Sequence, residues 1–369
     1  MSLEAPVRIG IIGTGQIAQS HMKEYRDNPS VKMVACADID EAAAKKSADE
    51  FGIANVYTGY KELLKRDDID AVDVCLHNNL HRPVTEAAFV AGKHVYCEKP
   101  IAGSYADGLA MVQAARESGK KLHIQFFSFF TDETLAAQEL IQAGELGEIF
   151  HARSTGYRRR GRPYVDGYGT PRFVQKEHAA GGALYDMGVY HIAQLLYLLG
   201  NPTVERVSGK TYQKTDMDAA RRATSNYDVE ELGLGLVRFS GDLTLDIIEA
   251  WAIHLDAFEG SYLVGDQGGI RMNPFGFFRN SGFLDLSAKV DLGAARFRWN
   301  NVRGDGQSYA SSQKHWVSAL LGKVELVPSA EVALNTMLIS EAIYLSDQLG
   351  REVTAEEVKA HSKSTAVAA

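Results

Sequence analysis

Apolar residues in the first third of the chain fall into short continuous runs separated by stretches with helical spacing. Val7 to Ile12, Lys32 to Asp38, Ala71 to Leu76, His94 to Cys97 and Leu122 to Gln125 read as strands, and near-continuous apolar character marks a sheet buried on both faces. Between them the spacing predicts helices. Ile17, Ala18, His21, Met22 and Tyr25 share one face of the first; Asp40 to Phe51, Tyr57 to Arg66, Pro83 to Ala91 and Tyr105 to Ser118 follow. Strands alternating with helices of this length imply a doubly wound parallel sheet with right-handed crossovers. The pattern changes after helix Thr131 to Ala143, which stops at Gly144 with Gly147 close behind. From Glu148 onward strands succeed one another, at Ile149 to Tyr157, Val204 to Lys210, Glu231 to Phe239, Thr244 to Trp251 and Tyr262 to Gly265, which implies an antiparallel sheet. Helix Ser329 to Gln348 closes the fold, and Ala355 to Ala369 reads as a small, polar, frayed tail.

The first strand runs straight into Gly13-x-Gly15-x-x-Ala18. Gly13 lets the chain turn without a Cβ in the way, Gly15 lets the backbone approach a pyrophosphate on the helix N-terminus, and Ala18 lets helix and strand pack closely. Gln16 and Ile17 open that helix and belong to the same cradle. Glycine-rich turns occur in many proteins that bind no nucleotide. The second strand, however, ends in Asp38, 20 residues after Ala18, where a dinucleotide site places the carboxylate for the adenosine ribose hydroxyls. Asp40 is well placed to cap the next helix, which leaves Asp38 for the ribose. No Arg stands nearby to take a 2′-phosphate, so the expected cofactor is NAD and not NADP. The expected architecture is therefore α/β: a Rossmann doubly wound parallel sheet over residues 1–125, a C-terminal α+β substrate-binding and oligomerisation domain with an open, mainly antiparallel sheet over 126–350, and a tail from 351 to 369.

The chain has 369 residues, 45% of them hydrophobic, ample for about two domains. A formal net charge of −8 argues against nucleic acid or an anionic membrane as the main partner; the run Tyr157-Arg158-Arg159-Arg160-Gly161-Arg162 is the local exception. No apolar stretch approaches a membrane span, and the N-terminus lacks a signal peptide's basic and apolar regions. Cys36, Cys75 and Cys97 sit in or at the ends of predicted strands, as buried apolar residues in a reducing, cytoplasmic compartment would. They form no Cys-x-x-Cys pair or Cys/His cluster with ligand spacing, so no metal site is expected.

Ligands of doubly wound sheets bind beyond the carboxyl ends of the strands. Two such ends carry polar clusters, His77-Asn78-Asn79-Leu80-His81 and Glu98-Lys99-Pro100. Proline holds the preceding Lys99 in an extended backbone, as a positioned proton or charge partner requires; an ordinary surface ion pair with Glu98 is the alternative.

In this order and spacing, Gly-Thr-Gly-Gln-Ile-Ala, Ala-Asp-Ile-Asp, Asn78-x-x-His81 and Ala-Gly-Lys-His-Val-Tyr-Cys-Glu-Lys-Pro, from Ala91 to Pro100, resemble the Gfo/Idh/MocA oxidoreductases, over nearly the whole chain to about residue 350. The resemblance implies a two-domain NAD(P)-dependent dehydrogenase of sugars, cyclitols or their keto forms. It implies cofactor contacts at Asn78, His81, Glu98 and Lys99, a Lys-Pro bond that is often cis, and a homodimer or homotetramer formed through the C-terminal sheet. This chain departs from the family's pattern at His77, Phe129-Phe130 and Gln194, which bears on substrate choice and leaves the cofactor half untouched.

In the second half, Gly181 to His191 leads into the apolar helix Ile192 to Leu199. On an α-helix residues four apart lie about 40° from each other around the axis and residues five apart about 140°, so Asp186 and Tyr190 share a cleft and His191 points elsewhere. Many members of the family have a histidine where this chain has Tyr190. Oxidising an alcohol by hydride loss requires a base for the hydroxyl proton. A lysine beside a tyrosine favours its phenolate, so Tyr190 is expected to exchange the proton, Lys99 to lower its pKa and polarise the substrate oxygen, and Asp186 to orient either. Lys99 as direct donor is equally permissible, as are a merely packed Tyr190 and a capping Asp186. Arg160 and His191 are candidate substrate contacts, with arginines of the 158–162 run able to meet a carboxylate, a phosphate or sugar hydroxyls. Trp251 and His254 read as packing or interface residues. Competing functions on this scaffold are an NAD-dependent glycosidase working by transient oxidation and a non-catalytic NAD-binding regulator.

Overall fold

The computed structural model describes residues 3–367. Its first sheet is built from β1 (Val7–Ile12), β2 (Val31–Ala37), β3 (Asn55–Tyr57), β4 (Ala71–Val74), β5 (His94–Cys97) and β6 (Leu122–Ile124), all parallel, in the order β3-β2-β1-β4-β5-β6. The crossovers are α1 (Gln16–Arg26), α2 (Glu41–Phe51), α3 (Tyr60–Leu64), α4 (Asn78–Val90) and α5 (Tyr105–Ser118). The strand order reverses next to β1, so β1 and β4 open the crevice in which such sheets bind ligands. Strand β3 escapes the sequence reading because three residues starting with Asn carry almost no periodicity. Helix α4 begins at Asn78, ahead of the start expected at Pro83, with His77 as its N-cap residue and Pro83 inside it. A proline there cannot bond the carbonyl four residues back, that of Asn79. The N–H of Val367 reaches that carbonyl instead, at 3.2 Å.

Helix α6 (Asp132–Gln142) leads into a nine-stranded sheet whose members are β7 (Ile149–Tyr157), β8 (Val204–Tyr212), β9 (Leu232–Phe239), β10 (Thr244–Ala250), β11 (Tyr262–Gly265), β12 (Gly269–Arg271), β13 (Gly276–Ser281), β14 (Leu284–Ala288) and β15 (Val353–Thr354), in the order β14-β13-β12-β11-β7-β10-β9-β8-β15. It is antiparallel except where β7 meets β10 in parallel. The reason lies between β7 and β8: α7 (Lys176–Ala179), a π turn (Leu184–Gly188) and α8 (Val189–Leu198) make that connection a helical crossover, which returns the chain in its original direction. Helices α9 (Ala219–Ser225), α10 (Leu292–Val302) and α11 (Ser312–Leu320) complete this half before α12 (Ser329–Leu349). The last packs on β8, and also on α5, which ties the two sheets together. Gly209 and Gly235 allow this contact, since a Cβ on either would lie within 2.8 Å of Ile343.

The frayed tail is overturned. Ala355–His361 forms α13 behind a capping box from Thr354 to Glu357, and Ser364 and Thr365 then dock on the buried Asp107. Ala368 and Ala369, the end of the expected tail, lie outside the described residues. No helix among the described residues is long and apolar enough to cross a membrane.

Candidate active site

The glycine turn has the form a dinucleotide needs. Gly13 has φ +89°, and a Cβ there would sit 2.3 Å from the carbonyl oxygen of Cys75. A Cβ on Gly15 would meet nothing within 4 Å, so the space above it is open. Helix α1 starts with no side-chain cap and no acid in its first turn, leaving its N–H groups and dipole free for an anion. Asp38 stands beside this cradle, its Oδ2 accepting from the Thr14 N–H (2.7 Å) and hydroxyl (3.0 Å). Asp40 makes the cap of α2, accepting from the N–H groups of Ala42 and Ala43. The residues present fit a bound NAD: Gly13 and Gly15 make room for the pyrophosphate, Gln16 and Ile17 supply the helix end, and Asp38 retains lone pairs for ribose hydroxyls. Ile17 is 41% exposed at this edge while the rest of its expected helix face is buried.

Beyond β5 the chain turns at Glu98, Lys99 and Pro100, with the Lys99–Pro100 bond cis. His81 is buried under this turn, its ring nitrogens 2.9 Å from the Pro100 carbonyl and 3.1 Å from that of Leu76. Asn78 donates its side-chain N–H to the carbonyl of Ala179 in the other half of the molecule. Glu98 is 5% exposed, and its Oε2 accepts from the Lys99 N–H at 3.1 Å.

Lys99 thereby reaches across to the π turn before α8. Its Nζ lies 2.9 Å from the Asp186 carbonyl, 3.3 Å from Asp186 Oδ1 and 4.6 Å from the centre of the Tyr190 ring. Asp186 Oδ2 accepts from Trp251 Nε1 at 3.0 Å and faces Arg158 Nη1 at 3.6 Å. Asp186 thus belongs to the π turn and caps no helix. Tyr190 is backed by Phe126 and Phe127. The charges follow from these contacts. Burial disfavours the Lys99 ammonium, but Tyr190 and Asp186 outweigh it and hold the amine's pKa above its ordinary value. Burial raises the Asp186 carboxyl, yet Lys99, Arg158 and Trp251 bring it below the usual range. Burial pushes Tyr190 up to about 12 even against the pull of Lys99. At neutral pH the site therefore holds an ammonium, a carboxylate and a neutral phenol.

His191 turns to β10, its Nδ1 2.9 Å from Glu249 Oε2; burial lowers its pKa, but Glu249 prevails and raises it. Glu249 also accepts from Ser154. Of the arginine run, Arg158 meets Asp186, whereas Arg162 is 1% exposed and bound to Asp166 and Glu231, so it lines no mouth. Arg160 is exposed and bridges by its backbone to Ala252. His77, Lys99, Arg172, Phe173, His178 and Asp186 line a cleft of about 60 Å³. Ligand pockets run to about 300–1,000 Å³, so this cleft is narrower than a usual one. A larger hollow of about 710 Å³, along Gly144, Gly268 and Arg279, contains none of the site residues.

Trp251, Glu230 and Glu249 were not anticipated as parts of the site. Glu230 is buried and accepts from the N–H groups of Gly182 and Leu184, holding the π turn in place. Glu249 had a visible signal: alternation along β10 puts it on the buried face of Leu245 and Ile247, where an acid needs a partner.

Residues 7–126 match the oxidoreductase family with an NAD-binding Rossmann fold, and residues 134–271 match the GFO/IDH/MocA C-terminal domain. The chain belongs to this family. As a GFO/IDH/MocA protein it is a nicotinamide-dependent dehydrogenase. It is 28% identical over 358 residues to D-glucoside 3-dehydrogenase of Escherichia coli K12, covering 95% of this chain and 97% of that one. It is 28% identical over 196 residues to inositol 2-dehydrogenase of Salmonella paratyphi B, covering 52% and 54%. Among solved structures, a levoglucosan dehydrogenase in complex with NADH shares the fold with a TM-score of 0.79 at 20% identity, over 95% of this chain and 99% of that one.

Proposed function

We propose that this protein is an NAD-dependent dehydrogenase of a sugar, cyclitol or related polyhydroxylated alcohol, exchanging the hydroxyl proton at Lys99 and Tyr190 with Asp186 as their anchor. The observation that carries the reading is the convergence of these three side chains from two halves of the molecule. NAD, when bound, supplies the acceptor for the hydride that leaves the alcohol carbon. The hydroxyl proton must leave as the carbonyl forms. Lys99 donates a hydrogen bond to the reacting oxygen and stabilises the charge on it, while the Tyr190 hydroxyl lies within the same field. In the direction of carbonyl reduction both groups already carry the proton to be given. Asp186 fixes the ammonium, and Trp251 and Arg158 fix Asp186. The relatives named for glucosides and inositol support a polyhydroxylated substrate. Asp38 supports NAD over NADP, because a 2′-phosphate would lie against a carboxylate.

The test is a panel of aldoses, glycosides, anhydrosugars and inositols offered with NAD and with NADP, read by NADH or NADPH absorbance. Steady reduction of NAD by at least one polyol supports the reading. Tight NADH binding without turnover of any member overturns it.

A further inference from the structure

Behind the Lys99 turn, on the side away from the cleft, lies a second charged cluster that the reaction does not touch. His21, on the buried face of α1, places Nδ1 3.0 Å from Asp73 Oδ2 and Nε2 2.9 Å from Glu98 Oε1, the second an ion-pair contact whose angles do not make a hydrogen bond. All three side chains are sealed, with the His21 and Asp73 side chains 1% and 0% exposed. Glu98 is the hinge between the two clusters, because its other oxygen accepts from the Lys99 N–H. We infer that His21 is a positioning residue of the active site: a buried cation between Asp73 and Glu98 that fixes the Glu98 carboxylate under the Lys99 amide and so aims the Lys99 ammonium at Asp186 and Tyr190. The inference rests on the reading of Lys99 as the group that meets the substrate oxygen.

Electrostatics require a cation here. Two carboxylates taken out of water are costly unless paired, and a neutral imidazole has one N–H to give where two acids face it. The remaining groups around the ring supply no other positive charge. They are Cys75 just past β4, whose Sγ lies 3.2 Å from Asp73 Oδ1; Tyr96 on β5, edge-on to the ring at 5.5 Å; and Tyr25, one turn further along α1. Burial pulls the imidazole's pKa down, but Asp73 and Cys75 more than reverse this. His21, Asp73 and Cys75 also lie close enough together to hold a metal ion. The ion-paired reading is preferred, because a metal would have to displace protons from a charged imidazole and from a thiol whose pKa burial has raised.

The test has two independent arms. In nitrogen-15 spectra of the whole protein, with His21 assigned by its contacts to the Tyr96 ring, both ring nitrogens should stay protonated from about pH 6 to about pH 8, well beyond the ordinary value near 6.5. A ring that becomes neutral within that range overturns the inference, whatever the protein turns over. In the second arm, His21→Gln and His21→Asn are assayed on the polyol that reduces NAD fastest, in the native and the Glu98→Gln backgrounds. Turnover should fall about tenfold or more in the native background with the KM for NAD within about twofold, since small misplacements of a catalytic group cost at least that much. In the Glu98→Gln background the further loss should be under about threefold, because the charge to be held is gone. Equal losses in both backgrounds, or an effect confined to the KM for NAD, would make His21 a packing residue and overturn the inference. Failure of every polyol refutes the functional reading separately and leaves the spectroscopic arm to decide.

Discussion

The two clusters on either side of the Glu98–Lys99 turn are made of the same kinds of group. One has Lys99, Asp186 and Tyr190; the other has His21, Asp73 and Glu98 with Tyr25 and Tyr96 beside them. What separates them is access. The Lys99 and Asp186 side chains are 14% and 26% exposed and border a cleft, whereas the second cluster is closed on every side. On the proposed reading a proton passes between the first cluster and a substrate oxygen, while the second holds its neighbours in place. Burial, more than composition, therefore distinguishes the two clusters.

The sharpest way to break this comparison is Lys99→Ala. Turnover should fall by about 10³-fold, within the range for loss of a positioned proton donor, with NADH affinity, read by fluorescence titration, within about threefold. A turnover loss under tenfold would demote the open cluster to a second support. Tyr190→Phe keeps the ring beside the ammonium and removes only the hydroxyl, so a smaller loss of about 10²-fold is expected. The pH profile sharpens the same point. With Tyr190 near 12 and Lys99 held above its ordinary value, both remain protonated through neutrality. Carbonyl reduction should be flat between about pH 6 and pH 9, while alcohol oxidation, which needs a deprotonated acceptor, should climb across it. An oxidation rate that falls over that range would contradict these protonation states.

Trp251→Phe removes the N–H that Asp186 Oδ2 accepts. A hydrogen bond to a charged group contributes about 1.5–3 kcal/mol, so a loss of about tenfold or more in kcat/KM is expected. The smallest effect should come from the tail contact on Asp107, in the double variant Ser364→Ala, Thr365→Ala. Its melting temperature should drop by about 2–4 °C with turnover within about twofold, as measured by calorimetry and assay. Burial raises the Asp107 carboxyl, but Ser364, Thr365, Ser104 and Arg82 lower it further, so its folded pKa lies below the unfolded one. The stability it lends is present above the unfolded value of about 3.9 and is lost as pH falls through the folded pKa. The gap between native and variant melting temperatures should accordingly narrow below about pH 4.

The parts legible in the sequence are those governed by local rules. Continuous apolar runs made the parallel strands readable, and the glycine turn and Asp38 were found because a dinucleotide cradle is contiguous along the chain. Asp40 was identified as the cap of α2 from its place before the apolar spacing began. Other features escaped for physical reasons. The helix at Ile192 to Leu199 was legible, but the parallel pairing of β7 with β10 was not, because it depends on where that crossover returns the chain in the sheet. The helical start at Asn78 was hidden by Pro83, whose missing N–H is made good only by the distant Val367. The docked tail was misread because serine and threonine look solvated until an Asp107 from another element meets them.

The chain by itself determined the two-sheet plan, the nucleotide cradle and the backbone direction of Lys99, because each depends on residues that are neighbours in sequence. Tertiary structure alone brings together what Lys99 meets, which the sequence offered only through the resemblance: Asp186 and Tyr190 come from 87 and more residues further on, and Trp251 from just past β10. It also decided which of two similar sets of charges is open and which is closed. Exposure and pKa depend on everything that packs around a group, and no local pattern of residues contains that information.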